Sequence, residues 1–169
     1  MTDLFDFTAA DIDVSGWRTI NDTVMGGVSE STFVSTADGA AFQGTVSLER
    51  GGGFASVRAP EGTYGLSGAT GLRLRVRGDG QRYKFTMYTH AGGRVSYRVP
   101  FEAPTSWTDL SLSFEDLVAY RRGRHVPGAP PFDPSRVRTL GVLIGDKQAG
   151  PFRLDLQRIA AVSSVEPPP

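Results

Sequence analysis

Along most of the chain, apolar and polar residues alternate with a period of two. Leu72, Leu74 and Val76 are interleaved with Arg73, Arg75 and Arg77, and Tyr83, Phe85 and Met87 with Lys84, Thr86 and Tyr88. Val95, Tyr97, Val99 and Phe101 alternate with Ser96 and Arg98, and Leu110, Leu112 and Phe114 with Ser111 and Ser113. Phe152, Leu154 and Leu156 do the same with Arg153, Asp155 and Gln157. Val46 and Leu48 alternate with Thr45, Ser47 and Glu49, and Leu140, Val142 and Ile144 are spaced by small residues. Successive side chains of a strand point to opposite faces, so each run predicts one core face and one wet face.

Glycine-rich breaks separate the runs: Gly51-Gly52-Gly53, Gly78-Asp79-Gly80, Ala91-Gly92-Gly93 and Ala149-Gly150-Pro151. Thr86–Ala91 and Arg94–Phe101, joined by Gly92-Gly93, read as a hairpin. Helical periodicity is weak, with single short turns of helix expected near Phe114–Tyr120 and Phe7–Val14. Tyr120 to Pro134 reads as one long irregular segment, either a working loop or a solvated insertion. Many short strands with turns between them predict an all-β, two-sheet sandwich or jelly roll. It forms a single domain over residues 1–162, followed by a frayed Pro-rich tail at 163–169.

Composition narrows the function classes. The 169 residues suit one domain with its own core. Eighteen basic residues balance eighteen acidic ones, so no overall charge favours nucleic acid or an anionic membrane. There is no cysteine, which excludes disulfides, thiolate nucleophiles and Cys-based zinc sites. No apolar run is long enough to span a bilayer, and Met1–Ser15 has neither the basic start of a signal peptide nor the arginines of a transit peptide. A cytoplasmic location is expected.

Four segments are too polar or too glycine-rich for plain strand. In Trp17–Ser29, Trp17, Asn21, Asp22 and Met25 lead into Gly26-Gly27. Trp17 is either a stacking platform for a ligand or a core residue, and Asp22 either a binding group or a cap for the turn. Gly51–Arg58 follows, where a strand rather than a helix comes after the glycines, so a hairpin turn fits better than a phosphate cradle. Arg77–Tyr83 is a tight turn that Asp79 holds by pairing with an arginine. Asp146-Lys147-Gln148 joins two core strands as the rim of a site or as a polar hairpin loop. The wet face carrying Arg73, Arg75 and Arg77, with Tyr83, Tyr88, Tyr97 and Trp107 as candidate aromatics, suits a sugar or a protein surface. It would equally serve as a solvated face of exchanged ion pairs.

Nothing here argues for catalysis. His90 and His125 are the only histidines; no Gly-x-Ser-x-Gly elbow, His-x-x-x-His pair, dinucleotide fingerprint or P-loop occurs. An oxygen-ligated calcium on Asp22, Asp79 and Asp146 is conceivable, but no EF-hand spacing supports it. No metal and no cofactor are expected.

Read as W-x-x-I-N-D-x-V-M-G-G-V-S, Trp17–Ser29 resembles the opening signature of the complex I intermediate-associated protein family, the 30 kDa assembly-factor domain of NADH:ubiquinone oxidoreductase. Phe42-x-Gly44-x-Val46-Ser47-Leu48 with Gly52–Arg58, then Arg77-Gly78-Asp79-Gly80-x-x-Tyr83, then Leu140-Gly141 with Asp146–Phe152, resemble that family's later blocks in order. The likeness runs from about Trp17 to Ile159 and is that of a bacterial stand-alone member. It implies a galactose-binding-like sandwich and a non-enzymatic role in assembling the respiratory complex. The expected function is therefore a protein-binding module, with a respiratory-complex subunit as a candidate partner. A carbohydrate- or small-ligand-binding module and an unrecognised hydrolase are the alternatives. Trp17, Asn21, Asp22, Met25, Arg58, Asp79, Tyr83, Asp146, Lys147 and Gln148 are the expected contact residues.

Overall fold

The computed structural model describes residues 1–89 and 95–163, apart from the side chains of Val24 and Met25. His90, the turn at Ala91-Gly92-Gly93 and most of the Pro-rich tail lie outside the described residues. Two antiparallel sheets face each other. One sheet runs β3 (Glu30–Thr36), β4 (Gly39–Val46), β13 (Gly150–Val162), β6 (Gly71–Arg77) and β9 (Thr108–Ser113), with β1 (Thr2–Asp6) pairing the far end of β13. The other runs β11 (Arg124–His125), β10 (Val118–Arg121), β8 (Ser96–Glu102), β7 (Arg82–Tyr88), β12 (Thr139–Ile144), β5 (Ala55–Arg58) and β2 (Arg18–Thr19).

The alternation becomes the core directly. Phe42, Leu72, Leu74, Val76, Leu154, Leu156 and Ile159 point inward from the first sheet. Val57, Tyr83, Phe85, Met87, Leu140, Val142 and Ile144 meet them from the second. Side chains of this kind contribute about 1.5–3 kcal/mol each when taken from water. A register shift between Leu156 and Arg158 lets the long strand β13 continue past β4 and accept β1.

The outer face of the first sheet is a solvated ion-pair network. Arg77 and Arg153 share the Asp155 carboxylate at 3.1 and 3.0 Å, Arg75 lies 3.5 Å from Asp109, and Arg158 lies 3.4 Å from Asp3. The cross-strand charge pairing expected if β6 and β13 were neighbours is present, since Arg77 is opposite Asp155.

Several details differ from the sequence reading. Tyr120–Pro134 is not wholly irregular: β10 and β11 form a hairpin whose turn residues, Arg122 (φ 51°) and Gly123 (φ 76°), both have positive φ. Near Phe114 only a 3-10 turn forms, over Phe114–Asp116, and β10 follows it. Phe7–Val14 contains turns rather than helix. The glycine segment at 51–53 and the loop at 145–149 are not hairpin turns, and the tight turn at 78–80 joins the sheets as they do. Each carries the chain from one sheet to the other, β4 to β5, β6 to β7 and β12 to β13.

Candidate functional site

The four motif segments lie at sheet-to-sheet crossings, and the carboxylate of the first turns inward. Asp22 is 1% exposed. Its carboxylate accepts from Ser29 N–H at 2.9 Å, Ser29 Oγ at 2.5 Å, Gly53 N–H at 2.7 Å and Phe54 N–H at 3.3 Å. It thus bolts the first loop to the glycine loop. Burial pushes its carboxyl pKa upward, but the hydrogen bonds from Ser29, Gly53 and Phe54 outweigh burial and hold it below its usual value. Gly27 and Gly52 are fitted to this bolt, since a Cβ on either would stand 2.5 Å from the Asp22 carboxylate.

Other expected contact residues are engaged by hydrogen bonds within the fold. Asn21 Oδ1 accepts from Ser31 Oγ at 2.7 Å and Ser56 N–H at 3.3 Å. Among the described residues Asp79 pairs with no arginine side chain; it accepts from Arg153 N–H at 2.8 Å, Gln81 N–H at 3.1 Å and the Tyr83 hydroxyl at 3.0 Å. Tyr83 is 1% exposed in the core, and burial raises its phenol pKa well above the usual range. Gln148 exchanges hydrogen bonds with the Arg82 backbone at 2.9 and 2.8 Å.

Trp17 is 7% exposed and stacks on Phe33 at 4.7 Å, with Phe5 and Phe7 at its edges. Tyr97 also faces inward, against Phe132. Lys147 is exposed, in a left-handed conformation (φ 58°), and Met25 lies outside the described side chains. The carboxylates of Asp22 and Asp79 are engaged by N–H and O–H donors. Among the described residues no three acidic or histidine side chains gather as a metal cluster.

The surface with chemistry to spare is the outer face of the seven-stranded sheet. Register sets a row of cross-strand neighbours there, Arg18, Arg58, Gly141, Thr86, Arg98 and Val118. A second row holds Thr139, Tyr88, Ser96 and Tyr120. Arg58, Lys84, Tyr88, Ser96, Arg98 and Tyr120 line a trough of about 820 Å³ there, with Phe54, Arg121 and Asp146 at its rim. Gly141 has no room for a side chain, because a Cβ would meet the Val57 carbonyl of β5.

The guanidinium of Arg58 lies over the Tyr88 ring, 3.9 Å from its centroid. Arg98 and Lys84 approach the Tyr120 ring at 5.1 and 5.2 Å. Arg98 Nε donates to Ser96 Oγ at 2.9 Å, and Lys84 pairs with Asp146 at 3.5 Å. Burial pulls the Arg98 pKa below its usual value. The Tyr88 and Tyr120 phenols and the Asp146 carboxylate work against this, and the Arg58 charge adds to it.

Of the contact residues expected from the motifs, the structure brings Arg58 and Asp146 to this trough. Lys84, Ser96 and Arg98 went unrecognised as a group, although each occupies a polar position of an alternating strand. That periodicity was the available signal. Tyr120 fell within the stretch read as irregular.

Residues 5–156 match the family model described as Complex I intermediate-associated protein 30. An uncharacterized protein of Schizosaccharomyces pombe is 28% identical over an alignment covering 86% of this chain and 77% of the relative. Among solved structures, the fold is similar to the family 11 carbohydrate-binding module of the cellulase Lic26A-Cel5E of Clostridium thermocellum. The TM-score is 0.66 at 12% identity, covering 99% of this chain and 97% of that one. The same type of module in complex with a β-1,3-1,4-mixed-linked tetrasaccharide gives 0.65 at 14% identity, over 98% and 97%. A family 30 module of the cellulase Cel9D-Cel44B of that organism gives 0.53 at 14%, over 98% of both chains. These likenesses establish the β-sandwich fold. Among the described residues no helix is long and apolar enough to cross a membrane.

Proposed function

Since the chain belongs to the complex I intermediate-associated protein 30 family, we propose that it is a non-catalytic binding module in complex I assembly. In this reading it holds a protein partner on the outer face of the seven-stranded sheet, and it works in the cytoplasm. The observation that carries this is the trough itself. Three cationic side chains and two tyrosines from β5, β7, β8 and β10 converge on one face. Asp22 and Asp79 of the loop motifs, by contrast, are engaged by backbone amides of other segments. Arginine and tyrosine are the residue types that dominate protein contact energies.

The sandwich likeness to carbohydrate-binding modules supports a second reading, a sugar in the same trough. The ring geometry weighs against it. A sugar platform offers an open aromatic face, yet Tyr88 is 4% exposed and covered by Arg58.

The test is purification of the tagged chain from its own host, with quantification of complex I subunits by mass spectrometry. An unrelated tagged β-sandwich serves as the control. Enrichment of one or more subunits over the control is expected; equal recovery from both would overturn the assembly role.

A further inference from the structure

Arg58 and Arg98 line the same trough, each beside a tyrosine: Arg58 lies over the Tyr88 ring at 3.9 Å and Arg98 over the Tyr120 ring at 5.1 Å. Their strands are separated by β12 and β7, so their Cα atoms stand about 14 Å apart at the usual strand spacing. Gly141 and Thr86, which stand between them in the register, put no bulky side chain into that gap.

Charge balance is where this face departs from the rest of the molecule. On the opposite sheet, arginines are matched by Asp155, Asp109 and Asp3. Among the described residues the trough is lined by Arg58, Lys84, Arg98, Arg121 and Arg122 against one carboxylate, Asp146, which Lys84 already holds. The whole chain is neutral, so this excess is local. Among the described residues, Arg58 Nε is a buried side-chain nitrogen with no hydrogen-bond partner. A desolvated donor without an acceptor is a standing cost, which an incoming anion removes.

We propose that the trough seats an acidic segment of a protein, with one carboxylate between Arg58 and Arg98 that accepts from Arg58 Nε–H. This names the chemistry of the partner in the binding reading above and rests on that reading. A single small anion would satisfy the arginine pair but leave Arg121 and Arg122 at the rim unmatched. A segment with several carboxylates along its length matches both.

The test uses fluorescence anisotropy with a short labelled peptide of alternating Glu and Ser, and the same peptide with Gln for Glu. Saturable binding of the Glu peptide alone is expected, falling as salt is raised. Arg58→Gln or Arg98→Gln should weaken it about tenfold or more, and Asp146→Asn should tighten it. Arg98→Lys keeps the charge but loses the planar fork, and should also weaken binding if the glutamine variants do not fold.

Failure of the Glu peptide to bind, equal binding of the Gln peptide, or indifference to the arginine variants would overturn the proposal. So would saturable binding of inorganic phosphate without binding of the peptide. Binding of the mixed-linked tetrasaccharide, lost in Tyr88→Ala but kept in both arginine variants, would overturn the anion chemistry while leaving this face as the binding surface.

Discussion

The Arg58 guanidinium lies over the Tyr88 ring, 3.9 Å from its centroid, and among the described residues its Nε has no acceptor. Stacking offsets part of the cost of removing that nitrogen from water, but a donor left unmatched does not stabilise a fold. Residues held at such a cost are characteristic of binding surfaces.

Arg58→Leu should therefore fold with a stability within about 1 kcal/mol of the parent. It loses a cation–π contact of about 0.5–2 kcal/mol. It also removes an unsatisfied donor worth about 1–3 kcal/mol and the repulsion on Arg98. Urea unfolding monitored by tryptophan fluorescence checks this; a loss well beyond that range would make Arg58 a structural residue.

Asp22 should show the opposite behaviour. Asp22→Ala strips acceptors from Ser29, Gly53 and Phe54 inside the protein, and a loss of about 3 kcal/mol or more is expected.

The pH dependence of that loss follows from the direction of the shift. The folded carboxyl lies below its ordinary value of 3.8, so the unfolded chain takes up the proton first. Asp22 thus contributes its stability above 3.8 and loses it as pH falls through the folded value. The stability gap between the parent and Asp22→Ala should be full at neutral pH and narrow below that point. A gap that widened on acidification would contradict the assignment.

Gly27→Ala and Gly52→Ala should each cost about 1–3 kcal/mol, because a new Cβ presses on a carboxylate pinned by other bonds. Gly62→Ala, where a Cβ meets nothing, should cost much less. Thermal melts of the three proteins compare them.

Tyr83→Phe should cost about 1 kcal/mol through its bond to Asp79 and leave binding at the trough unchanged. Melting and peptide titration of the same sample separate the two effects.

The strands that alternate strictly were legible because one face of each is core: β6, β7, β8, β9, β12 and β13 fall where period two places them. β3 was not, because Glu30–Thr36 is an edge strand, largely exposed and polar on both faces. The β10–β11 hairpin was hidden because its turn is Arg122-Gly123, inside a proline-rich stretch. Among the loop motifs, Asp22 and Asp79 were legible as turn-ordering residues, but which backbone amides they hold depends on partners brought in from elsewhere, Gly53 of the glycine loop and Arg153 of β13. The trough was the least legible part. Alternation marks Arg58, Lys84, Tyr88 and Arg98 as outward-facing, but only the strand order β10-β8-β7-β12-β5 brings them onto one surface.

The most direct test compares charge reversals on the two faces in the same capture experiment. One protein carries Arg58→Glu and Arg98→Glu in the trough, the other Arg73→Glu and Arg75→Glu on the opposite sheet, both shown to be folded by circular dichroism. Partner recovery should be abolished by the first pair and retained with the second. Equal recovery from both, or loss only with Arg73 and Arg75 reversed, would contradict the assignment of the seven-stranded face as the binding surface.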